Sequence, residues 1–484
     1  MSQVVAQSES KVKEFKPLCV DLDGTLVKSD TLIDSLLVLA RTHPLLLLRL
    51  PGQVLRGKAQ FKSFVTENVV LDVVHLPYNR TLLRFLQQEH ARGRQIYLAT
   101  GADIRLAERV ADHLGVFDGV LGSDGVRNLT GNRKLESLRN RLGGSNFVYV
   151  GNDTPDLPLM AGAAESMVAN PSRRLNSKLR ARGIVPSRAF EERSTLWRSL
   201  VKALRPHQWA KNLLIFLPPL LSHSHSIQLL TASFLAFVCF CSTASGTYLV
   251  NDLLDIEADR RNAKKRLRPF ASGDLAPSSG LIVAALLLGL GFAVAQLLPP
   301  TFSYWLLLYL GSTLAYSLYL KRIALVDVLA LSGLYTLRLL AGGAATQVRI
   351  SHWLAGFAIF LFLSLAIVKR FAELENLRLT GSQIKNGRGY LMSDIEQIRT
   401  FGTASAFAAV VVFANYISSQ DVTVLYHYPQ RLWLIVPCMI LWLCRVWLLA
   451  SRGELDEDPV AFALTDAASL VMGAVVAVVV LLAM

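Results

Sequence analysis

Asp21 and Asp23 stand two residues apart in Asp21-Leu22-Asp23-Gly24-Thr25, directly after a short β-like run. Two carboxylates at the carboxyl end of a strand can divide a phosphoryl transfer, one attacking phosphorus while the other handles protons. A second acidic group lies in the other half of the chain, in Asn251-Asp252-Leu253-Leu254-Asp255-Ile256-Glu257-Ala258-Asp259. On a helix the spacing i, i+3, i+7 puts Asp252, Asp255 and Asp259 on one face, where they repel one another unless cations sit between them. Lys264, Lys265, Arg266 and Arg268 follow at once. The pattern therefore points to a Mg²⁺-diphosphate site rather than to a solvated helix end.

The elements that must position these groups differ between the two halves. Residues 16–169 alternate β-like runs, at Leu18 to Leu22, Gln95 to Thr100 and Phe147 to Gly151, with helical stretches, the pattern of a parallel α/β sheet. Over 70 residues separate the first two runs, too many for one crossover, so a helical cap is expected over the strand ends. Its run His43-Pro44-Leu45-Leu46-Leu47-Leu48-Arg49-Leu50-Pro51 reads either as the buried face of a cap helix or as a segment that dips into a membrane interface. From Asn170 to Arg205 ten Lys or Arg face two Glu. That segment is expected as a basic linker over 170–204, either solvated or drawn to anionic lipids.

The C-terminal half is apolar. The whole chain of 484 residues is 52% hydrophobic and only 18% charged, with a mean hydropathy of +0.38. Those values exclude a small soluble protein, a secreted disulfide scaffold and a disordered chain. Residues 212–251 and 275–320 contain no Lys, Arg, Asp or Glu, and each stretch is long enough for two spans. Nine spans are expected, near 209–225, 228–250, 279–298, 302–320, 325–345, 352–368, 401–418, 431–449 and 460–482. Segments 251–274, 321–324 and 369–400 carry fourteen Lys or Arg, so the positive-inside rule places them and the N-terminal domain in the cytosol. An odd number of spans then puts Met484 on the opposite side of a bacterial-type inner or plasma membrane. The N-terminus lacks the apolar core of a signal peptide. Cys19, Cys239, Cys241, Cys438 and Cys444 show no paired spacing, which speaks against disulfides and a zinc site. The net charge of +14 is gathered largely at membrane-proximal loops, so no nucleic-acid role is expected.

Four motifs at the predicted strand ends carry a resemblance. The Asp21-Leu22-Asp23-Gly24-Thr25 turn, Thr100, Lys134 in Gly131-Asn132-Arg133-Lys134, and Gly151-Asn152-Asp153-Thr154-Pro155-Asp156 resemble the haloacid dehalogenase (HAD) superfamily over residues 1–169. The resemblance implies a Rossmannoid phosphatase with Asp21 as nucleophile and Asp23 as its partner. Thr100 would hold phosphoryl oxygens, Lys134 would neutralise the aspartyl-phosphate, and Asp21, Asp23, Asp153 and Asp156 would serve Mg²⁺. The sequence departs from that family where Gly-Asp becomes Gly151-Asn152. The metal ligand then shifts to Asp153, or Asn152 serves as a weaker neutral ligand.

Residues 205–484 resemble the UbiA superfamily of membrane prenyltransferases, through Lys211-Asn212, the NDxxDxxxD motif and Lys265 with Arg268-Pro269. The loop that carries a second Asp-rich motif in that family reads here Lys369-Arg370-Phe371-Ala372-Glu373, with cations leading. With RPHQWAKN at 205–212, YSLYLKRIALVD at 316–327 and GRGY at 387–390, the half is similar to the polyprenyl-phosphate (decaprenyl-phosphate) phosphoribosyltransferase branch. Its donor is phosphoribosyl diphosphate (PRPP) and its acceptor a lipid phosphate at the inner leaflet, and the extra phosphates account for the surplus cations. The resemblance assigns Asp252, Asp255 and Asp259, supported by Asn251, to Mg²⁺-diphosphate. Lys265, Arg268, Lys321, Lys369 and Arg370 would bind phosphates, and Lys211 and Asn212 lie where donor or lipid phosphate approaches. Tyr316, Asp327, Arg338 and Glu373 complete the set, with Asp327 and Glu373 on ribose hydroxyls; for Asp327, Arg338 and Glu373 a structural ion pair is the competing reading. The two halves would catalyse consecutive steps, with Mg²⁺ in both. The alternative is a prenyltransferase with an aromatic acceptor, fused to a phosphatase or to a non-catalytic sensor.

Overall fold

Every side chain of β1 (Leu18–Val20) is buried, and the alternation along the strand explains how. Leu18 and Val20 join an apolar cluster with Ile96, Leu98, Val148 and Val150, while Cys19 points into another with Ala99, Tyr149 and Val168. A strand with two apolar faces needs cover on both, the condition of a parallel sheet between helices. The computed structural model, which describes residues 15–144, 146–223, 226–379, 388–455 and 459–484, provides it. Strands β2 (Ile96–Asp103), β3 (Gly119–Ser123), β4 (Val148–Gly151), β5 (Glu165–Ala169) and β6 (Arg188–Phe190) complete a parallel sheet of order β3-β2-β1-β4-β5-β6. The order reverses between β1 and β4, the place where such sheets open a crevice beyond their carboxyl ends. There the Asp21 N–H donates to Val150 O at 3.0 Å.

Helices α1 (Thr31–Thr42), α2 (Leu50–Leu55), α3 (Lys58–Asn68) and α4 (Arg80–Ala91) fill the long β1–β2 connection, and α5 (Ile104–Leu114), α6 (Asn132–Arg141) and α7 (Leu157–Gly162) connect later strands. The apolar run at 43–51 is divided rather than buried as a face. Leu46, Leu47 and Leu50 pack on the core, but Leu45 and Leu48 are 78% and 80% exposed. Residues 170–204 are not an unstructured linker: they form α8 (Arg173–Ala181), β6 and α9 (Leu196–Leu204), and Ala189 pairs with Val168. The reason is an apolar set hidden among the charges, Leu175, Leu179 and Phe190, all buried.

The chain continues as α10 (Leu217–Leu221), α11 (Ile227–Leu254), α12 (Ile256–Arg261), α13 (Pro277–Ala295), α14 (Pro300–Leu318), α15 (Val326–Thr346), α16 (His352–Leu379), α17 (Ile395–Ile417), α18 (Gln420–Thr423), α19 (Ile435–Ser451), α20 (Pro459–Thr465) and α21 (Ala467–Ala483). Two compact units result: residues 1–204 with 249–282, and residues 205–248 with 283–484. One division falls between residues 204 and 205, and residues 249–282, which include the loop after α11, group with the sheet. Arg260 of α12 pairs with Asp34 of α1 at 2.8 Å, the side chains 3% and 0% exposed, and also donates to Ser29 Oγ at 3.1 Å. Arg261 pairs with Asp72 at 2.7 Å and Lys28 with Asp274 at 3.8 Å.

In the second unit helices approach closely through small residues. A Cβ on Gly402 of α17 would lie 2.2 Å from the Trp447 ring of α19, and Trp447 Nε1 donates to Ser364 Oγ of α16 at 3.2 Å. Among the described residues, six helical segments are long and apolar enough to cross a bilayer: Ile227–Leu254, Pro277–Ala295, Val326–Thr346, His352–Leu379, Met392–Ile417 and Pro429–Ser451. The other three expected spans take different forms. Residues 206–221 are a 3₁₀ segment followed by the short α10, α14 is rich in Ser, Thr and Tyr, and the last is split into α20 and α21.

Removing one partner of a buried ion pair leaves an uncompensated charge, at a cost of about 3–5 kcal/mol. Asp34→Ala is expected to lower the unfolding midpoint of the detergent-solubilised protein accordingly; an unchanged midpoint would show that Arg260 finds another counterion.

Candidate functional site

The crevice between β1 and β4 opens into a cavity of about 440 Å³ whose lining includes Asp21, Asp23, Lys134, Asn152, Asp153 and Asp156. Asp21 follows β1 directly, and Lys134 is delivered by the first turn of α6 after Gly131, a glycine at φ +57°. Lys134 Nζ lies 2.6 Å from Asp21 Oδ1 and 3.5 Å from Asp156 Oδ1. Burial pushes the Asp21 carboxyl up to about 6 against the opposing charge of Lys134. Burial, and then the neighbouring Asp30, push Asp23 up to about 7. Burial works against the charge on Lys134, but Asp21 and Asp156 more than offset it and hold its ammonium above the usual value.

The structure sorts the remaining motif residues. Asp156 is occupied on both oxygens: Oδ2 accepts the N–H groups of Asn152 and Asp153 at 3.0 and 3.3 Å, and Oδ1 accepts Tyr149 OH at 2.7 Å. It thereby shapes the turn after β4, and it also lines the cavity. A Cβ at Gly151 would lie 2.6 Å from its Oδ2, which is why the turn begins with glycine. Asp153 is exposed and accepts Ser172 Oγ at 2.6 Å. Asn152 instead faces the Asp21–Gly24 turn, so closely that a Cβ on Gly24 would stand 2.0 Å from its Nδ2. Thr100 is fully buried, its Oγ1 accepting Ala102 N–H at 3.0 Å, and its neighbour Gly101 lines the cavity. The oxygen atoms of Asp21, Asp23 and Asn152 suit a hard dication, and among the described residues no three His, Cys, Asp or Glu form a closed metal cage. That fits Mg²⁺, which takes one or two carboxylates and completes its shell with water and substrate phosphate.

The second acidic motif spans the junction of α11 and α12: Asp255 lies between Leu254 and Ile256, and the bonds from Asp255 N–H to Asn251 O at 2.9 Å and from Asp259 N–H to Asp255 O at 2.8 Å run through it. Arg268 Nη1 bridges Asp252 at 3.1 Å and Asp259 at 2.6 Å, while Asp255 pairs with Arg41 of α1 at 2.9 Å. Two carboxylates that share one nitrogen are near enough to share one cation, so the donor set fits Mg²⁺. Burial raises the Asp259 carboxyl, with Arg268 opposing. Arg268, expected on phosphate, is here a counterion; Lys265 is exposed beside it, and Asn251 is half-buried near the end of α11.

The other expected substrate residues lie in the second unit, in two groups. Arg370 is 1% exposed and reaches Asp327 at 2.5 Å, Glu373 at 2.8 Å and Tyr316 OH at 3.2 Å, and Tyr390 OH also donates to Asp327. Asp327, Arg370 and Glu373 thus form an ion-pair network. Arg338 does not belong to it: its partners are Asn212 Oδ1 at 2.8 Å, Tyr309 OH at 3.0 Å and Leu334 O, with no carboxylate among the described residues. Both Arg338 and Asn212 are buried, and Lys211 Nζ lies 5.6 Å from the centre of the Tyr335 ring, over which Arg338 also stacks. Lys321 and Lys369 are half-buried, beside the Tyr316 and Arg370 positions in sequence.

Sequence spacing did not single out Tyr149, Arg41, Tyr390, Lys28 and Arg193 as site residues. Arg41, Tyr390 and Arg193 come from remote segments, whereas Tyr149 lies in the run Phe147 to Gly151 and Lys28 five residues after Asp23.

The chain belongs to the UbiA prenyltransferase family, whose model matches residues 213–480. It is an integral membrane protein of the transferase class that this family defines. An uncharacterized protein of Sinorhizobium fredii is 36% identical over 466 residues, 95% of this chain and 90% of that one. The decaprenyl-phosphate phosphoribosyltransferase of Mycobacterium tuberculosis is 35% identical over 227 residues, 46% of this chain and 74% of that one. A UbiA homologue from Archaeoglobus fulgidus bound to GPP and Mg²⁺ is 17% identical with a TM-score of 0.44, covering 58% of this chain and 96% of that one.

Gly24 combines φ +73° with contact against Asn152. Gly24→Ala is expected to lower stability by about 1–3 kcal/mol through backbone strain alone. Thermal unfolding checks it, and a midpoint equal to that of the parent would mean the turn relaxes freely.

Proposed function

We propose that the membrane half transfers 5-phosphoribose from PRPP to a polyprenyl phosphate with release of diphosphate, and that the N-terminal unit, a HAD-type phosphatase, removes the 5-phosphate. Arg338 carries the first part. A buried guanidinium without a carboxylate is costly unless an anion meets it. A prenyltransferase with an aromatic acceptor has no acceptor phosphate to supply, whereas a lipid phosphate supplies one. The likeness to a decaprenyl-phosphate phosphoribosyltransferase supports the same reading.

In the transfer, an oxygen of the lipid phosphate attacks C1 of the ribose, and the bond from C1 to the diphosphate breaks. Mg²⁺ held by Asp252, Asp255 and Asp259 would supply charge neutralisation for that leaving group. Arg338, fixed by Asn212 and Tyr309, orients phosphate, and Lys211 adds a second cation. Lys321, Lys369 and the Arg370 network, with Asp327 and Glu373 against ribose hydroxyls, serve the donor. Attack opposite the leaving group inverts the α-donor to a β-linked product.

In the hydrolysis, a carboxylate oxygen of Asp21 attacks the 5-phosphate, the P–O bond to the ribose breaks, and the ribose oxygen takes a proton from Asp23. Water then splits the aspartyl-phosphate to inorganic phosphate. Lys134 holds charge on Asp21 throughout, and Thr100 keeps the β2 end in shape. Of Asn152 and Asp153, Asn152 is the one that attends the metal. Both active sites face the cytosol on this reading, with Met484 across the membrane, and tethering raises the effective substrate concentration to roughly millimolar.

Reconstitution with PRPP, polyprenyl phosphate and Mg²⁺, followed by lipid mass analysis, tests both steps. Asp21→Asn is expected to accumulate the 5-phosphate lipid and Asp252→Ala to make neither product. Lipids unaltered by Asp21→Asn would refute the consecutive scheme. Consumption of a prenyl diphosphate with PRPP inert would replace the donor assignment.

A further inference from the structure

The phosphatase cavity is larger than a phosphate group needs, and several cations line it. At about 440 Å³ it falls in the range of sites for whole small molecules, about 300–1,000 Å³. Asp21, Lys134 and Lys62, the last bonded to Gly101 O, are among its lining residues. The lining also includes Lys28, Arg193 and the segment Ala276–Ser278, three stretches remote in sequence but within the same compact unit.

This wall is a built feature. The Lys28 side chain is 11% exposed and its nearest carboxylate is Asp274 at 3.8 Å, long for an ion pair. Arg193 donates to Lys28 O, and it forms no ion pair among the described residues. A Cβ on Gly273, at φ +75°, would lie 2.7 Å from Lys28 Cβ, so the 273–278 turn is pressed against the lysine. Ala276–Ser278 leads directly into α13, one of the membrane-length helices.

We propose that Lys28 and Arg193 form a second anion subsite, so that the cavity selects a phosphomonoester whose other end carries a phosphodiester. The inference rests on the phosphatase reading above and deepens it. A single phosphate at Asp21 is balanced by Lys134. Lys28 and Arg193 on the same cavity lining supply the charge that a second phosphate on the same sugar would need. The start of α13 on that wall places this second phosphate, with the lipid it bears, at the head of a membrane helix.

The test compares phosphate release from three substrates: ribose 5-phosphate, its soluble 1-(methyl phosphate) diester, and the polyprenyl-phosphoryl form in phosphatidylcholine vesicles. The unsubstituted protein is expected to prefer both diesters over ribose 5-phosphate in kcat/KM. Arg193→Gln and Lys28→Gln should each cut that preference about tenfold, the effect of losing one charge-assisted contact, and Arg193→Lys should retain most of it. Preference is a ratio within one protein, so partial loss of folded enzyme cancels. A preference untouched by both Gln substitutions, or restricted to the vesicle substrate, overturns the subsite alone. Release from none of the three by the unsubstituted protein overturns the phosphatase reading, and the subsite with it.

Discussion

Arg260 and Asp34 neutralise each other where water does not reach, 2.8 Å apart with side chains 3% and 0% exposed. Neither charge tolerates separation from the other, so α12 is committed to α1 and the segment that carries the second acidic motif is committed to the α/β unit. Other features follow from that commitment. Arg41, on the same helix as Asp34, meets Asp255 at 2.9 Å, and Arg260 Nε donates to Ala271 O at 3.2 Å, which draws the 270s turn in. That turn then supplies the cavity wall beside Lys28. One ion pair thus sets the surroundings of two groups of carboxylates that lie in different halves of the chain.

Each group of acids is held by cations at short range, and the manner differs with what the group has to do. At Asp21 a single lysine is enclosed with its partner, so the carboxylate is pinned by a charge that stays in place. At Asp252 and Asp259 the bridging nitrogen belongs to Arg268, whose side chain is 27% exposed and can leave. On the proposed reading a permanent counterion suits a carboxylate that attacks, because its position decides the reaction geometry, and a removable one suits carboxylates that receive a metal and a diphosphate together.

The sheet was legible because period-two burial leaves a clear mark: Leu18, Val20, Val148 and Val150 alternate with Cys19 and Tyr149, and the strand ends fell beside the motif residues. Lys134 was legible through its motif, and the structure brings it onto Asp21. The basic stretch at 170–204 hid its structure because nine positive charges outweigh Leu175, Leu179 and Phe190 in any compositional reading, although three buried side chains suffice to dock a helix and an edge strand. In the acidic motif Asp252 and Asp259 meet at Arg268, whereas the Asp255 carboxylate pairs with Arg41. No local pattern encodes that outcome, since Arg41 lies over two hundred residues away. The length of Pro300–Leu318 matches a span, but its hydroxyl-bearing residues lower its hydropathy, so composition and length part company there.

Arg268 joins the two views of the acidic loop. Sequence resemblance assigns it to phosphate, whereas the structure puts it between Asp252 and Asp259. On the proposed reading these are two stages of one charge balance. Two carboxylates close enough to share a guanidinium carry a charge that something must match before substrate arrives, and Arg268 matches it. On the proposed reading a dication takes over that task when diphosphate enters, and the released guanidinium has phosphate oxygens within its former reach. Arg41 faces no such exchange: its bond to Leu254 O at 3.3 Å ties it to the end of α11 as well as to Asp255.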